Sequence, residues 1–145
     1  MNLLLSDNIC FNDNETLMNI VNNDTLLRKE MGLTKFYKTV EEFEEIGKRW
    51  ANSVNGSIFT ITYNNCIVGV ASLSKIENQT QSSNFGFWIK SEYWNTEIEN
   101  KAFSLLCEKA KSIGINKFRE RKFDNTEIRV ITKCGLCREG NELII

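Results

Sequence analysis

Two carboxylates and a hydroxyl crowd the run Trp94-Asn95-Thr96-Glu97-Ile98-Glu99-Asn100-Lys101, just where an amphipathic helical pattern begins. Thr96 and Glu99 stand three apart, the spacing at which a hydroxyl and a carboxylate satisfy each other's orphan amides at a helix start. The same spacing recurs at Asp124 and Glu127, which read more simply as a capping pair than as an acid and base. Cys134-Gly-Leu-Cys137 has the spacing of a thiol–disulfide pair. It straddles the end of a helical pattern, whereas a reactive thiolate is best stabilised at a helix start. Glu92, Tyr93 and Trp94 could touch an acceptor molecule, but an aromatic turn packed on the core is the simpler expectation.

The sequence contains no His. That removes the commonest acid/base residue near neutral pH, the commonest metal ligand, and every Ser-His or Cys-His nucleophile. Hydrolase and zinc chemistry drop out, and no metal site is expected. Cys10, Cys66, Cys107, Cys134 and Cys137 form no regular framework and read as reduced thiols of a cytoplasmic protein. A net charge of −1 gives no general reason to bind nucleic acid or an anionic membrane. Met1 to Leu5 is apolar but is interrupted at Ser6, Asp7 and Asn8, without a basic leader. No run approaches the roughly 20 apolar residues of a membrane span.

The elements that must position these residues follow from periodicity. Residues 14–22, with Asn14 as cap and Leu17, Ile20 and Val21 on one face, predict a short helix, and residues 24–31 a second one ending at Gly32. Thr39-Val40-Glu41-Glu42 is a capping box opening a helix with an apolar stripe of Phe43, Ile46, Trp50 and Val54. From Ser57 the period changes to that of strands. Ile58 to Tyr63 and Cys66 to Leu73 flank a two-residue turn at Asn64-Asn65. Residues 77–83 read as a loop, and Asn84 to Ile89 as a third strand in which Gly86 marks a bulge or close backbone approach. A long helix over 96–113 turns Ile98, Ala102, Leu105, Leu106, Ala110 and Ile113 inward, with Gly114 as its cap. Residues 115–123 predict a strand that is very polar from Lys117 to Lys122. Residues 125–134, with Ile128, Val130 and Ile131 inward, predict a helix ended by Gly135, and Asn141 to Ile145 a last strand. The pattern defines one α/β (α+β) domain over residues 1–145: a mixed, mostly antiparallel central sheet flanked by helices.

Several segments taken in order resemble a known family. Phe59-Thr-Ile-Thr-Tyr63 with Ile67-Val-Gly-Val-Ala-Ser-Leu73 is similar to the central hairpin of GNAT acetyltransferases. Gly86-Phe-Trp-Ile-Lys-Ser-Glu-Tyr-Trp94 resembles the strand and turn leading into their cofactor loop. Ile128-Arg-Val-Ile-Thr-Lys-Cys-Gly-Leu-Cys-Arg-Glu-Gly140 resembles their late helix and its K-x-G-F-x-x-E-G exit. Asn23-Asp24 through Gly32 and the Thr39–Val54 helix fit the branch that acetylates ribosomal-protein N-termini. The resemblance implies a GNAT fold, acetyl-CoA bound along Trp94–Lys101, and acetyl transfer to an amine. Backbone amides at a helix N-terminus, with glycines admitting close approach, make a seat for the pyrophosphate. Because relatives continue beyond the position of Leu143, the resemblance also implies that a C-terminal strand is missing, or supplied by a partner copy in a homodimer.

The sequence departs from this family where the cofactor should sit. The small residues of the family loop are replaced by Glu97 and Glu99. A carboxylate about 4 Å from a phosphate costs on the order of 4 kcal/mol at an effective dielectric near 20. Asn84 stands where many relatives carry a general-base Glu. Asp124 and Glu127 stand where they carry Asn and Ser. The expectation is therefore a GNAT-like protein with weak or lost acetyl-CoA binding, in which Thr96, Glu97 and Glu99 cap their own helix and exclude the cofactor. On the plainer reading, Glu97 and Glu99 face solvent on an ordinary helix start. The alternatives are an active N-acetyltransferase of an amine or peptide N-terminus, and a non-enzymatic interaction or dimerisation module on the same fold.

Overall fold

Asn64 and Asn65 set the sheet. Both adopt positive φ (49° and 68°), the conformation a two-residue primed turn demands, and Tyr63 and Cys66 pair directly across it. In the computed structural model, which describes residues 2–7 and 9–145, this turn joins β2 (Ser57–Tyr63) to β3 (Cys66–Glu77), and β3 pairs onward with β4 (Ser82–Ile89). The remaining strands are β1 (Leu3–Ser6), β5 (Lys117–Arg119), β6 (Cys137–Glu139) and β7 (Glu142–Ile144). The helices are α1 (Phe11–Asn23), α2 (Thr25–Met31), α3 (Val40–Val54), α4 (Glu97–Ser112) and α5 (Asn125–Lys133). The sheet runs β1-β2-β3-β4-β5-β7-β6, antiparallel except between β4 and β5.

Alternation along β4 sorts the layers. Phe85, Phe87 and Ile89 are buried in the larger core, where Phe85 packs on Phe103 of α4 and Phe118 of β5 at centroid distances of 5.2 and 4.8 Å. Trp88 instead joins a smaller cluster built on Ile20, Val21 and Leu27 of α1 and α2. Two glycines let strands pack closely. A Cβ on Gly86 would lie 2.5 Å from Ser72 Oγ, and one on Gly69 would lie 2.3 Å from the Trp88 carbonyl oxygen. The close approach expected at Gly86 is therefore present.

Several boundaries differ from the sequence reading, each for a physical reason. Residues 3–6 form an edge strand against β2, because their apolar side chains meet that strand's exposed edge. α1 starts at Phe11, since the Asp13 carboxylate accepts the Cys10 amide at 3.0 Å and caps the helix a turn before Asn14. β3 runs on to Glu77 and β4 begins at Ser82, which leaves only a tight turn of the expected loop. On α4 the buried face is rotated: Glu99, Phe103 and Cys107 lie inside while Ile113 is exposed. Ile128 of α5 likewise points outward. The polar stretch 117–122 is a strand only over Lys117–Arg119, an inner strand of the sheet with Phe118 buried between two half-exposed cations. The tail makes two strands, the expected one at β7 and an additional one at β6, with β7 inserted between β5 and β6.

The stripe on α3 is present but meets a core only at its start, where Phe43 packs on the Ile20, Val21 and Leu27 cluster. No residue of α3 is buried, and Ile46 and Trp50 are 40% and 39% exposed. Thr39 caps the helix as expected by accepting the Glu42 amide, while the Glu42 carboxylate turns back to the Lys38 amide instead of Thr39.

Glycine substitutions separate close packing from open space. Gly69→Ala drives a methyl group into backbone on β4 and is expected to destabilise the protein by about 1–3 kcal/mol. Gly47→Ala, with no heavy atom within 4 Å of the added Cβ on α3, is expected to stabilise by up to about 1 kcal/mol through helix propensity. Urea unfolding midpoints at unchanged m-value measure both.

Candidate functional site

β4 and β5 pair over only two positions, Ser82 with Lys117 and Ser83 with Phe118, and then separate. Separation leaves the outer backbone edge of β4 without a strand partner from Asn84 onward, an edge that would cost free energy if buried unpaired. Two arginines, Arg119 at the end of β5 and Arg121 just after it, reach into this opening. Arg119 donates to the Asn84 side-chain oxygen (3.2 Å), the Lys75 carbonyl (2.8 Å) and the Glu77 carboxylate (2.8 Å). Arg121 donates to the Phe85 carbonyl (2.7 Å) and to the Glu127 carboxylate (2.5 Å). Asn84 thus serves as a hydrogen-bond acceptor.

At the far end of β4 the chain turns through Ser91–Tyr93 into α4. Asp24, the N-cap of α2, holds that turn by accepting from the Ser91 amide and hydroxyl, both at 2.7 Å. Trp94 donates from its indole nitrogen to the Ile89 carbonyl at 3.1 Å. Asn95 takes a positive φ of 63°, and Thr96 caps α4 by accepting the Glu99 amide. This half of the expected capping box is present. The Glu99 carboxylate, however, reaches past Thr96 to the Asn95 amide at 3.2 Å.

Glu99 is fully buried. Its two oxygens accept from Nε and Nη2 of Arg129 at 3.1 and 3.0 Å, a fork geometry that matches planar guanidinium to carboxylate. Arg129 also donates to Thr126 Oγ1 and lies over the Trp94 ring, 4.6 Å from its centroid. Glu97 behaves quite differently. Its side chain is 69% exposed and pairs with Lys101 at 3.0 Å, so the plainer reading holds for Glu97 and fails for Glu99. Ile98 is half-buried, and the Asn100 side-chain oxygen is buried without a partner among the described residues.

The start of α5 is crowded with acids. Asp124 and Glu127 form the full reciprocal capping box, at 2.8 and 3.0 Å. Glu30 reaches over from α2 to accept the Asn125 amide at 2.6 Å. Burial pushes the Glu127 carboxyl above its ordinary range despite the Arg121 pair, and burial does the same to Asp124. Burial also pushes the Cys107 thiol up to about 12 and raises Cys134. At Cys134 that direction works against a thiolate, and Cys134 and Cys137 are not joined in a disulfide. No cluster of potential metal ligands occurs among the described residues, and no helix is long and apolar enough to cross a membrane.

The sequence reading found Asp124, Glu127 and Glu99 but missed Arg121 and Arg129, which neutralise them. The signal was present: three acids around one cleft need counter-charges, and these two arginines flank Glu127 in the sequence.

An α/β sheet that opens between its two parallel strands, with a capped helix following the first of them, is the architecture of the acyl-CoA acetyltransferases. Residues 7–136 match the family model of the acetyltransferase (GNAT) domain, and the chain belongs to that family. No curated protein matches the sequence. Among solved structures, a domain from Methanocaldococcus jannaschii superposes with a TM-score of 0.68 at 25% identity, covering 99% of this chain and 96% of that one. Spermidine N-acetyltransferase from Vibrio cholerae, in complex with CoA and spermine, gives 0.67 at 17% identity, with 96% and 82% coverage. The ribosomal L7/L12 α-N-protein acetyltransferase RimL in complex with coenzyme A gives 0.70 at 17% identity, with 97% and 82% coverage. At these two identities the likeness concerns the fold alone.

Two measurements test this account of the site. Arg129→Met leaves Glu99 buried and unpaired, and is expected to cost about 3–5 kcal/mol by denaturant unfolding, with Glu99→Met/Arg129→Met losing less than the single variant. The raised pKa of Glu127 means the folded state holds its proton more tightly than the unfolded chain. Its ionisation therefore lowers stability at neutral pH, and the deficit is relieved as pH falls through the raised value toward the ordinary carboxylate range near 4. The Tm of the native chain relative to Glu127→Gln is expected to rise as pH falls from 7 to 4.5. A difference independent of pH would exclude burial as the cause.

Proposed function

We propose that this chain is a GNAT-family N-acetyltransferase-like protein whose acetyl-CoA site is closed by its own ion pairs, so that cofactor binding is weak or lost. The observation that carries the proposal is the Glu99–Arg129 fork at the start of α4. Acetyl-CoA requires an anion seat there, along Trp94–Lys101, and the residues present do not fit it. Glu99 already holds the Asn95 amide. Glu97 adds a charge and a side chain where close phosphate approach favours glycine. Along the opened edge of β4, Arg121 already uses the Phe85 carbonyl that an extended ligand would pair with. Asn84 cannot take a proton from an attacking amine at neutral pH.

A second reading is an active acetyl-CoA-dependent N-acetyltransferase of an amine or a peptide N-terminus. Family membership supports it, as do the first-turn amides of Glu97 and Ile98, which have no hydrogen-bond partner among the described residues. Five unpaired cysteines support a reducing, cytoplasmic setting for either reading. A third reading, an interaction or dimerisation module, would use the closed cleft or the edges at β1 and β6.

Calorimetry with acetyl-CoA separates the readings. The native chain is expected to show no saturable binding at micromolar concentrations, and Glu97→Gly/Glu99→Ala to bind at least roughly tenfold more tightly. Micromolar binding by the native chain would establish the enzyme reading. A folded double variant that gains nothing would remove charge and side-chain exclusion as the cause. A stable dimer indifferent to acetyl-CoA would favour the third reading.

A further inference from the structure

The exposed stripe of α3 has a structural counterpart. Between α1, α3 and the face of the sheet bearing Trp88 lies an open cavity of about 610 Å³. That volume falls within the range of pockets that take small organic molecules, roughly 300–1,000 Å³. Phe43, Ile46 and Trp50 form its α3 wall, and Val70, Phe87 and Trp88 belong to its floor. An amphipathic helix normally buries its apolar stripe against a core. Here Phe43 packs on the smaller core, but Ile46 and Trp50 stay part-exposed beside the cavity.

Three further observations indicate what would fill that space. The charges on the lining are Glu44 and Lys48, and they pair with each other at 2.6 Å, leaving no free charge to attract a cation or an anion. Ser72 and Tyr37 bring hydroxyls to the lining and Asn14 an amide, so the polar groups available to orient a ligand are few and uncharged. Gly47 sits mid-helix on the α3 wall, where glycine costs about 1 kcal/mol relative to alanine. A Cβ there would meet no heavy atom within 4 Å, so packing does not require the glycine; its effect is to keep the wall clear of side chain.

We infer that the cavity beneath α3 is a binding site for an uncharged, largely apolar small molecule, aromatic or branched, bearing one hydrogen-bonding group. A polyamine is the wrong class, because its cationic nitrogens would enter an apolar cavity whose lone carboxylate is already paired. The inference is independent of whether acetyl-CoA binds, since the cavity and the Glu99–Arg129 fork share no residue.

The probe is N-phenyl-1-naphthylamine, uncharged and aromatic with one N–H, titrated into the full chain without acetyl-CoA. Expected are saturable binding at one site per chain, quenching of tryptophan fluorescence through Trp50 and Trp88, and no competition by spermidine. Gly47→Phe places a ring in the cavity and is expected to weaken binding roughly tenfold or more at unchanged circular dichroism. Should that variant fail to fold, Ile46→Lys serves instead: it alters a residue already 40% exposed and brings an ammonium to the site, with the same loss expected. Absence of saturable binding to the native chain overturns the inference. So does unchanged affinity in a folded variant, or sedimentation showing a second copy of the chain closing this face.

Discussion

Glu99 can be buried only because Arg129 meets it. A carboxylate moved from water into a protein interior loses several kcal/mol of solvation, and a single well-aligned guanidinium with one backbone amide restores most of it. The rest of the site is arranged around that requirement. α5 must lie close enough to α4 for the fork to close, Trp94 must lie flat beneath the guanidinium, and Thr96 must hold the first turn of α4 so that Glu99 points inward. Asp24 fixes the turn from the other side, through Ser91. Four elements far apart in sequence thus converge on one charge pair.

The opening between β4 and β5 follows the same logic. A parallel pair that diverges after two residues exposes backbone carbonyls, and the chain answers with guanidinium groups on flexible stems. Arg119 and Arg121 pair with Glu77 and Glu127, so each positive charge that enters the opening brings a carboxylate with it. The result is a polar cleft in which these two guanidinium charges are already matched by carboxylates. Such a surface offers an incoming polyanion little net attraction, and any ligand would have to displace existing hydrogen bonds before making its own.

Much of the fold was legible in the sequence because local signals there agree with the tertiary structure. Asn64-Asn65, Thr39, Asp24 and Gly32 each mark a turn or cap whose backbone geometry is decided locally. The losses were of a different kind. The polar run 117–122 carries no periodic signal that would separate a three-residue strand from an arginine-bearing loop. The rotation of the buried face on α4 depends on Glu99 being paired, which is a long-range fact. The carboxylate of Glu97 and that of Glu99 look alike in sequence, yet one faces water and the other is sealed inside. Only the position of α5 distinguishes them. The stripe on α3 was read correctly as apolar, but what it faces could not be read from spacing.

The short contact between β4 and β5 also bears on how the molecule opens. Strands β1 to β4 form one continuous antiparallel unit, while β5, β7 and β6 form another built from three-residue pieces, and only two backbone pairs join them. Sub-global unfolding follows such seams. Amide hydrogens of β5 to β7 therefore belong to a less protected cooperative unit than those of the meander, and Phe118 under Phe85, with Arg119 bonded to Lys75 and Asn84, couples the two.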